Sequence, residues 1–302
     1  MTPMTVSFSQ FDSLDRLYRY FQSEKVCRNF LARHRWKGGI RCPICGGEVV
    51  YECGDGHYHC EDCNRNFTVT TRTIFASTKL PLRKWYAAIW LTINNKKGVS
   101  ALMLSRELGI TPASAWHMLQ KIRMLLPQED TPMEGDIQVD AGYVGGSLRW
   151  INGPKAPGAY LRNKISLLGF YNGSYRIRVV EEGNWKSIGP VIHSSVVQDA
   201  VLFTDMGNEF KKVDQDHFTV DHSTKQWKDH LTGATTSAVE SCWSHIKRHH
   251  HGIYHKLTHR YAQRYVDEFV YRYNTLHLSN SERTREFFDR IYITITWKEI
   301  AH

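Results

Sequence analysis

Three acidic residues and a lysine in this 302-residue chain have the types and spacing for phosphate chemistry: Asp140, Asp205, Glu240 and Lys247. Hard divalent cations such as Mg²⁺ take carboxylate oxygens together with water and substrate phosphate. Two such ions about 4 Å apart clamp the attacking and leaving oxygens of a phosphodiester. Three carboxylates meeting in space would supply that ligand set, and a lysine would offer a compact charge to a phosphate.

The local sequence says which elements would carry them. Asp140 lies in the alternating apolar run Ile137–Ala141, which reads as a strand. Asp205 ends the apolar run Ala200–Asp205 and is followed by Met206-Gly207, an exit turn. Glu240 and Lys247 fall in Ser237–Lys247, which reads as a helix; seven residues is close to two turns, so both lie on one side. Val239, Trp243 and Ile246 form the neighbouring apolar stripe. Taken singly, each acid has another reading. An Asp at a strand end is equally a turn or cap residue, and Glu240 with Lys247 is equally a solvated helix face.

Around these residues, strand-like runs cover 136–144, 164–171, 174–181, 200–205 and 217–221. A helix at 185–197 separates the third from the fourth, and long helices follow at about 235–250 and 256–274. This order predicts a mixed sheet with flanking helices, an α+β domain over 136–275. It matches the ribonuclease-H-like layout, and that fold implies that its first and fourth strands lie side by side. Pro127–Gly135 reads as a linker. Residues 276–302 form a C-terminal extension without a role readable from the sequence.

A second chemistry is written in Cys42-Pro-Ile-Cys45 and Cys60-Glu-Asp-Cys63. Two C-x-x-C knuckles supply four thiolates, the tetrahedral set of a structural Zn²⁺ with no open position. The expected zinc ribbon spans 36–78, after an N-terminal helical segment over 1–35. Cys53 reads as a spare, Cys27 and Cys242 as small buried residues, and His57 and His59 as alternative ligands. Arg41 and Arg65 stand beside the knuckles, where they would offset thiolate charge.

Residues 79–127 read as helix-turn-helix-like. Val99–Gly109 is an amphipathic helix ending at Gly, and Thr111 and Pro112 start a second helix through Leu126. Ser114, His117, Gln120, Lys121 and Arg123 are expected on its exposed face, within reach of a groove and phosphates. An ordinary helical hairpin is the other reading of the same pattern.

The formal charge is +9, and residues 1–130 hold 18 Lys and Arg against 11 Asp and Glu, whereas the remainder holds 21 against 19. The basic excess of the N-terminal part favours a polyanion partner. With 41% hydrophobic residues, nine Trp and fifteen Tyr the composition is that of a folded protein. Neither a secretory signal nor an apolar stretch of membrane-spanning length is present, so a cytoplasmic protein without a membrane partner is expected.

The ordered motifs resemble one family. Arg35-Trp36 with Cys42-Pro-Ile-Cys45-Gly46 resembles the start of the zinc-ribbon transposases. Val139-Asp140-Ala141-Gly142-Tyr143-Val144-Gly145-Gly146 resembles their first-aspartate motif, and Thr204-Asp205-Met206-Gly207 their second. Ser237–Arg248, Gly252–Lys256 and Tyr265–Asn274 resemble their third. Over about residues 25–275 the chain is similar to bacterial insertion-sequence transposases of the ISXO2-like type. The resemblance implies a DNA transposase that binds terminal inverted repeats, cuts, and joins the freed 3′-OH to target DNA. It implies two Mg²⁺ or Mn²⁺ ions on Asp140, Asp205 and Glu240, and DNA contacts from Lys247 and Arg248. Its partner would be double-stranded DNA, both the terminal inverted repeats and the target; the protein would be a homodimer or higher on that DNA, and nucleoid-associated in the bacterial cytoplasm. Ser147–Asn163 would be a DNA-facing flap or a long hairpin loop, and His249, His250 and His251 would be a solvated basic helix end or add DNA contacts. Two departures stand out: Ala141 where the family commonly has Glu, and Ser237 where it often has Asn. A DNA-binding regulator without catalysis and a structure-specific nuclease are the rival readings.

Overall fold

A computed structural model describes residues 7–54, 56–145, 164–220 and 235–292. The chain divides into two compact units, residues 126–274 and everything before and after them.

The first unit opens with α1 (Leu14–Tyr20) and α2 (Glu24–Arg35), started by Ser13 and Ser23, whose hydroxyls accept from the N–H groups of Arg16 and Val26. A three-stranded antiparallel meander follows: β1 (Val50–Gly54), β2 (His57–Cys60) and β3 (Arg65–Thr68). Its core is small: Cys42, Tyr58, Cys60 and Phe67 are buried, with Tyr58 paired to Phe67 across the strands and their rings stacked at 5.5 Å. So few apolar residues cannot hold a fold unaided, which makes a metal staple expected.

Next come α3 (Leu82–Asn94), α4 (Ala101–Leu108) and α5 (Pro112–Arg123). α4 ends at Gly109 in the left-handed region at φ 56°, a conformation that glycine adopts without strain. Thr111 caps α5 by accepting from Ser114 N–H at 3.2 Å, with Pro112 in the first turn.

The second unit is built on a five-stranded sheet. Its strands are β4 (Asp136–Val144), β5 (Ile165–Tyr171), β6 (Tyr175–Val180), β7 (Val201–Asp205) and β8 (Asp216–Val220). The order is β6-β5-β4-β7-β8, with β4, β5 and β6 antiparallel and β4, β7 and β8 parallel. This is the ribonuclease-H-like arrangement, and the first and fourth strands are neighbours as that fold implies.

Alternation assigns each side chain of β4 to a face. Ile137 and Val139 join Leu168, Phe170 and Leu202 against α6 (Trp185–Ser195). Val144, with Leu167 and Ile177, packs on α7 (Ser237–His249) and α8 (His259–Asn274) through Val239, Trp243, Ile246, Val266 and Phe269. Gln138, Asp140 and Gly142 share the parity of Val144 and so face α7. α7 widens at its end into a π-helical turn, His250–Tyr254.

The chain then returns to the first unit through α9 (Asn280–Arg290), opened by a capping box of Ser279 and Glu282. α9 packs on α3: Asn94 Oδ1 accepts from Arg283 Nη1 at 3.1 Å, and Asn94 Nδ2 donates to Thr284 Oγ1 at 3.3 Å. Phe288 is buried against Phe8, Phe30 and Tyr86. The described part of the segment read as an extension, residues 276–292, therefore belongs to the first unit, with Phe288 in its core.

Candidate active site and metal centre

β4 and β7 set the site. Their parallel register pairs Asp136 with Val201, Ile137 with Leu202 and Gln138 with Phe203. Continued by two residues, that register puts Asp140 opposite Asp205. Leu202 shares the α6 face with Ile137, so Asp205, three residues on, lies with Asp140 on the α7 face.

Asp140 is buried, and both its oxygens are held. Oδ1 accepts from the N–H of Ala141 at 2.8 Å, and Oδ2 from the indole Nε1 of Trp243 at 2.7 Å. Burial raises its pKa to about 6, and the negative charges of Asp205 and Glu240 add to the rise, while the Trp243 and Ala141 donors oppose it. Asp205 Oδ1 accepts from Gly207 N–H at 3.0 Å in the exit turn, where a Cβ on Gly207 would crowd the carboxylate at 2.9 Å.

Glu240 stands in the first turn of α7, where Thr236 Oγ1 donates to its Oε1 at 2.6 Å. The start of α7 is tied to the sheet by Gln138, whose Oε1 accepts from Ala238 N–H at 3.0 Å. Lys247 and Arg248 are exposed near the other end of the helix. The carboxylates are thus electrostatic neighbours. Among the described residues, however, the group whose ligand atoms lie within 4.8 Å of one another is Cys42, Cys45, Cys60 and Cys63.

Sequence reasoning assigned Trp243 to an apolar stripe. It lies there, and it also donates to Asp140. Neither that bond nor the Gln138 link left a signal beyond residue type and parity. Ala141, the departure beside Asp140, packs with the α6-facing core on the opposite side of the strand from Asp140.

The four cysteines fit a tetrahedral ion. Cys42 and Cys63 Sγ are 3.8 Å apart and Cys45 and Cys60 Sγ 3.6 Å, close to the roughly 3.8 Å edge of a tetrahedron of thiolates about 2.3 Å from Zn²⁺. The amides of Ile44 and Gly47 point at Cys42 and Cys45 Sγ, each at 3.4 Å. Cys53 is exposed, and Cys27 and Cys242 are buried, as expected. Arg41 is engaged by Glu48 at 2.5 Å. Arg72, unnoticed in the sequence, donates to the carbonyls of Pro43 and Ile44 and steadies the first knuckle.

Part of the expected DNA face is corrected. Gln120, Lys121 and Arg123 are buried, because the last turns of α5 are enclosed all round. Lys121 donates to the Ile74 carbonyl at 2.9 Å and lies over the Trp85 ring, and burial lowers its pKa. Ser114 and His117 are partly exposed. His249 and His250 are likewise buried rather than solvated: the His249 ring sits 5.2 Å from that of Phe269, and His250 abuts Gly145. His251 alone of the three is exposed. Ser147–Asn163, the expected flap, lies outside the described residues. No helix among the described residues is long and apolar enough to cross a membrane.

The chain thus joins a unit with a four-cysteine ribbon to a ribonuclease-H-like unit bearing acids on two adjacent parallel strands. Residues 132–274 match the ISXO2-like transposase domain, and residues 22–66 match the transposase zinc-ribbon domain. Through both domains the chain belongs to the ISXO2-like transposase family. It is 31% identical over 133 residues to an uncharacterized protein in transposable element ISH50 of Halobacterium salinarum. That match covers 43% of this chain and 45% of the relative, so the chain spans less than half of that protein's length. No solved structure matches it.

Proposed function

We propose that the chain cuts DNA at the ends of an insertion sequence and joins the freed 3′-OH to target DNA. What supports this reading is the parallel pairing of β4 with β7, whose register, continued two residues past Gln138 and Phe203, brings Asp140 opposite Asp205, with Glu240 on the helix that faces them. Asp140 and Asp205 end up on one sheet face with Glu240 on the helix that covers it, and an all-oxygen set of this kind suits two Mg²⁺ or Mn²⁺ ions.

When bound, such ions acidify the attacking water or 3′-OH and offset charge on the scissile phosphate. The protein's own groups do the rest. Trp243 and Ala141 orient Asp140, the exit turn orients Asp205, and Thr236 steadies Glu240. Lys247 and Arg248 offer exposed charge to the DNA backbone. Ser114 and His117 on α5, together with the ribbon, hold the terminal repeats. Joining two ends calls for at least two protomers.

Replacing Asp205 by Ala tests the assignment on end-bearing DNA with Mg²⁺ or Mn²⁺. Cutting and joining should vanish while end binding persists. Undiminished joining by the variant would remove Asp205 from the chemistry. Wild-type protein that binds ends without cutting would be a regulator, and cutting of branched DNA without joined product would mark a nuclease.

A further inference from the structure

Trp243 sits one turn beyond Glu240 on α7 and lies across the sheet in a slot floored by two glycines. A Cβ on Gly142 would stand 2.6 Å from its ring, and one on Gly169 2.8 Å. Gly142 is two residues beyond Asp140 on the same face, and Gly169 is the cross-strand partner of Asp140. Of the neighbours of Asp140 on that face, the one beyond it on β4 and the one across it on β5 therefore lack side chains. The indole fills the space over Gly142 and shares that over Gly169 with Val239.

The packing gives the ring one orientation, and in it the N–H meets Asp140 Oδ2 at 2.7 Å. The Ala141 amide takes Oδ1 from the other side. Each carboxylate oxygen has two lone-pair directions, so each keeps one for a cation. A carboxylate held by one donor rotates about its Cβ–Cγ bond; held by two, its plane is fixed.

We propose that Trp243 is a positioning residue for Asp140: its indole N–H, locked in the Gly142–Gly169 slot, sets the carboxylate plane for divalent-cation binding. The role rests on the metal-carboxylate reading given above. It differs from core packing in needing the N–H as well as the ring.

The test uses the full chain with its structural zinc. Trp243→Phe keeps an aromatic ring and deletes the donor. Mn²⁺ affinity, read by electron paramagnetic resonance of free Mn²⁺, should weaken about tenfold, and the joining rate should fall by at least that factor, with end-DNA binding unchanged. A merely structural role would lower thermal stability and leave Mn²⁺ affinity alone, so affinity and joining within twofold of wild type overturn the proposal.

A measurement on the unaltered side chain covers the case in which that variant fails to fold. In ¹⁵N-indole spectra, one exchange-protected resonance of the wild type should lose its downfield shift in Asp140→Ala and should move on Mg²⁺ addition to wild type. Finding no such resonance overturns the proposal as well. Wild type that binds no Mn²⁺, with the Asp140-dependent resonance present, overturns the carboxylate reading and with it the role of Trp243. Wild type that binds Mn²⁺ no better than Trp243→Phe overturns that role alone.

Discussion

Gln138 Oε1 accepts a hydrogen bond from Ala238 N–H at 3.0 Å, so a side chain of the central strand caps the helix that carries Glu240. Thr236, at the N-cap position of α7, makes no side-chain bond to the helix backbone. Thr235 Oγ1 accepts from Ser237 N–H at 3.2 Å, and the sheet takes the next amide, two residues before Asp140. Gln138→Leu should therefore cost about 1–2 kcal/mol of stability, the worth of a lost cap with an amide left unsatisfied. A urea midpoint unchanged from wild type would show that α7 is anchored elsewhere.

The ribbon should hold one zinc per chain, and its small core should depend on it. Binding free energy at such a site is folding free energy. Metal analysis by mass spectrometry should find one zinc in wild type and none in Cys60→Ser, and a strong chelator should open residues 42–68 to protease. Iron at the site, or a ribbon that resists protease after chelation, contradicts this account.

Glu268 and Arg272 form a fully buried ion pair on α8, and the Tyr254 hydroxyl donates to Glu268 Oε1 at 2.7 Å. Burial opposes charge on Arg272, but Tyr254 and Glu268 outweigh it and raise the guanidinium pKa. Removing Glu268 takes the neighbouring carboxylate away from a buried guanidinium. Glu268→Ala should cost about 3–5 kcal/mol, and the apolar double replacement Glu268→Met with Arg272→Met should recover most of it. If the double variant is as unstable as the single, the pair is more than a fastening between the π-helical turn and α8.

His34 gives the N-terminal unit a pH dependence. Its buried ring bonds the Tyr292 hydroxyl and meets Asp289 at 3.1 Å. Burial lowers its pKa below the ordinary value; Asp289 opposes this and Lys37 reinforces it. The unfolded chain therefore takes up this proton first as pH falls. The stabilising contribution is full above about pH 6.5 and is lost as pH drops through the folded value. Between roughly pH 7.5 and 5.5 the urea midpoint should fall more in wild type than in His34→Gln. Equal falls would assign the dependence to other groups.

Much of the second unit was legible because alternation and helical period are strong in it. The strand holding Asp140 was expected at 136–144 and found there, and Asp205 ends its strand as read. The adjacency of β4 and β7 came from the fold's known order, since no local pattern carries it. Residue type misled at Lys121 and Arg123, because a long cationic chain reads as surface unless its tertiary partner, here the Ile74 carbonyl for Lys121, is known. The same holds for His249 and His250, which a run of three histidines makes look solvated. Trp243 was placed correctly by its period, but the direction of one N–H depends on Gly142 and Gly169, which are distant in sequence. The same distance hid the destination of α9, whose own pattern does not say which core it joins.

That destination bears on the order of synthesis. The aromatic core around Phe8, Phe30 and Tyr86 is closed by Phe288, and every residue of the sheet unit is translated in between. A ribosome can release the whole sheet unit while the N-terminal unit still lacks its last helix. The N-terminal unit, begun before the sheet unit, would thus be finished after it, and its aromatic core would close only once Phe288 is made.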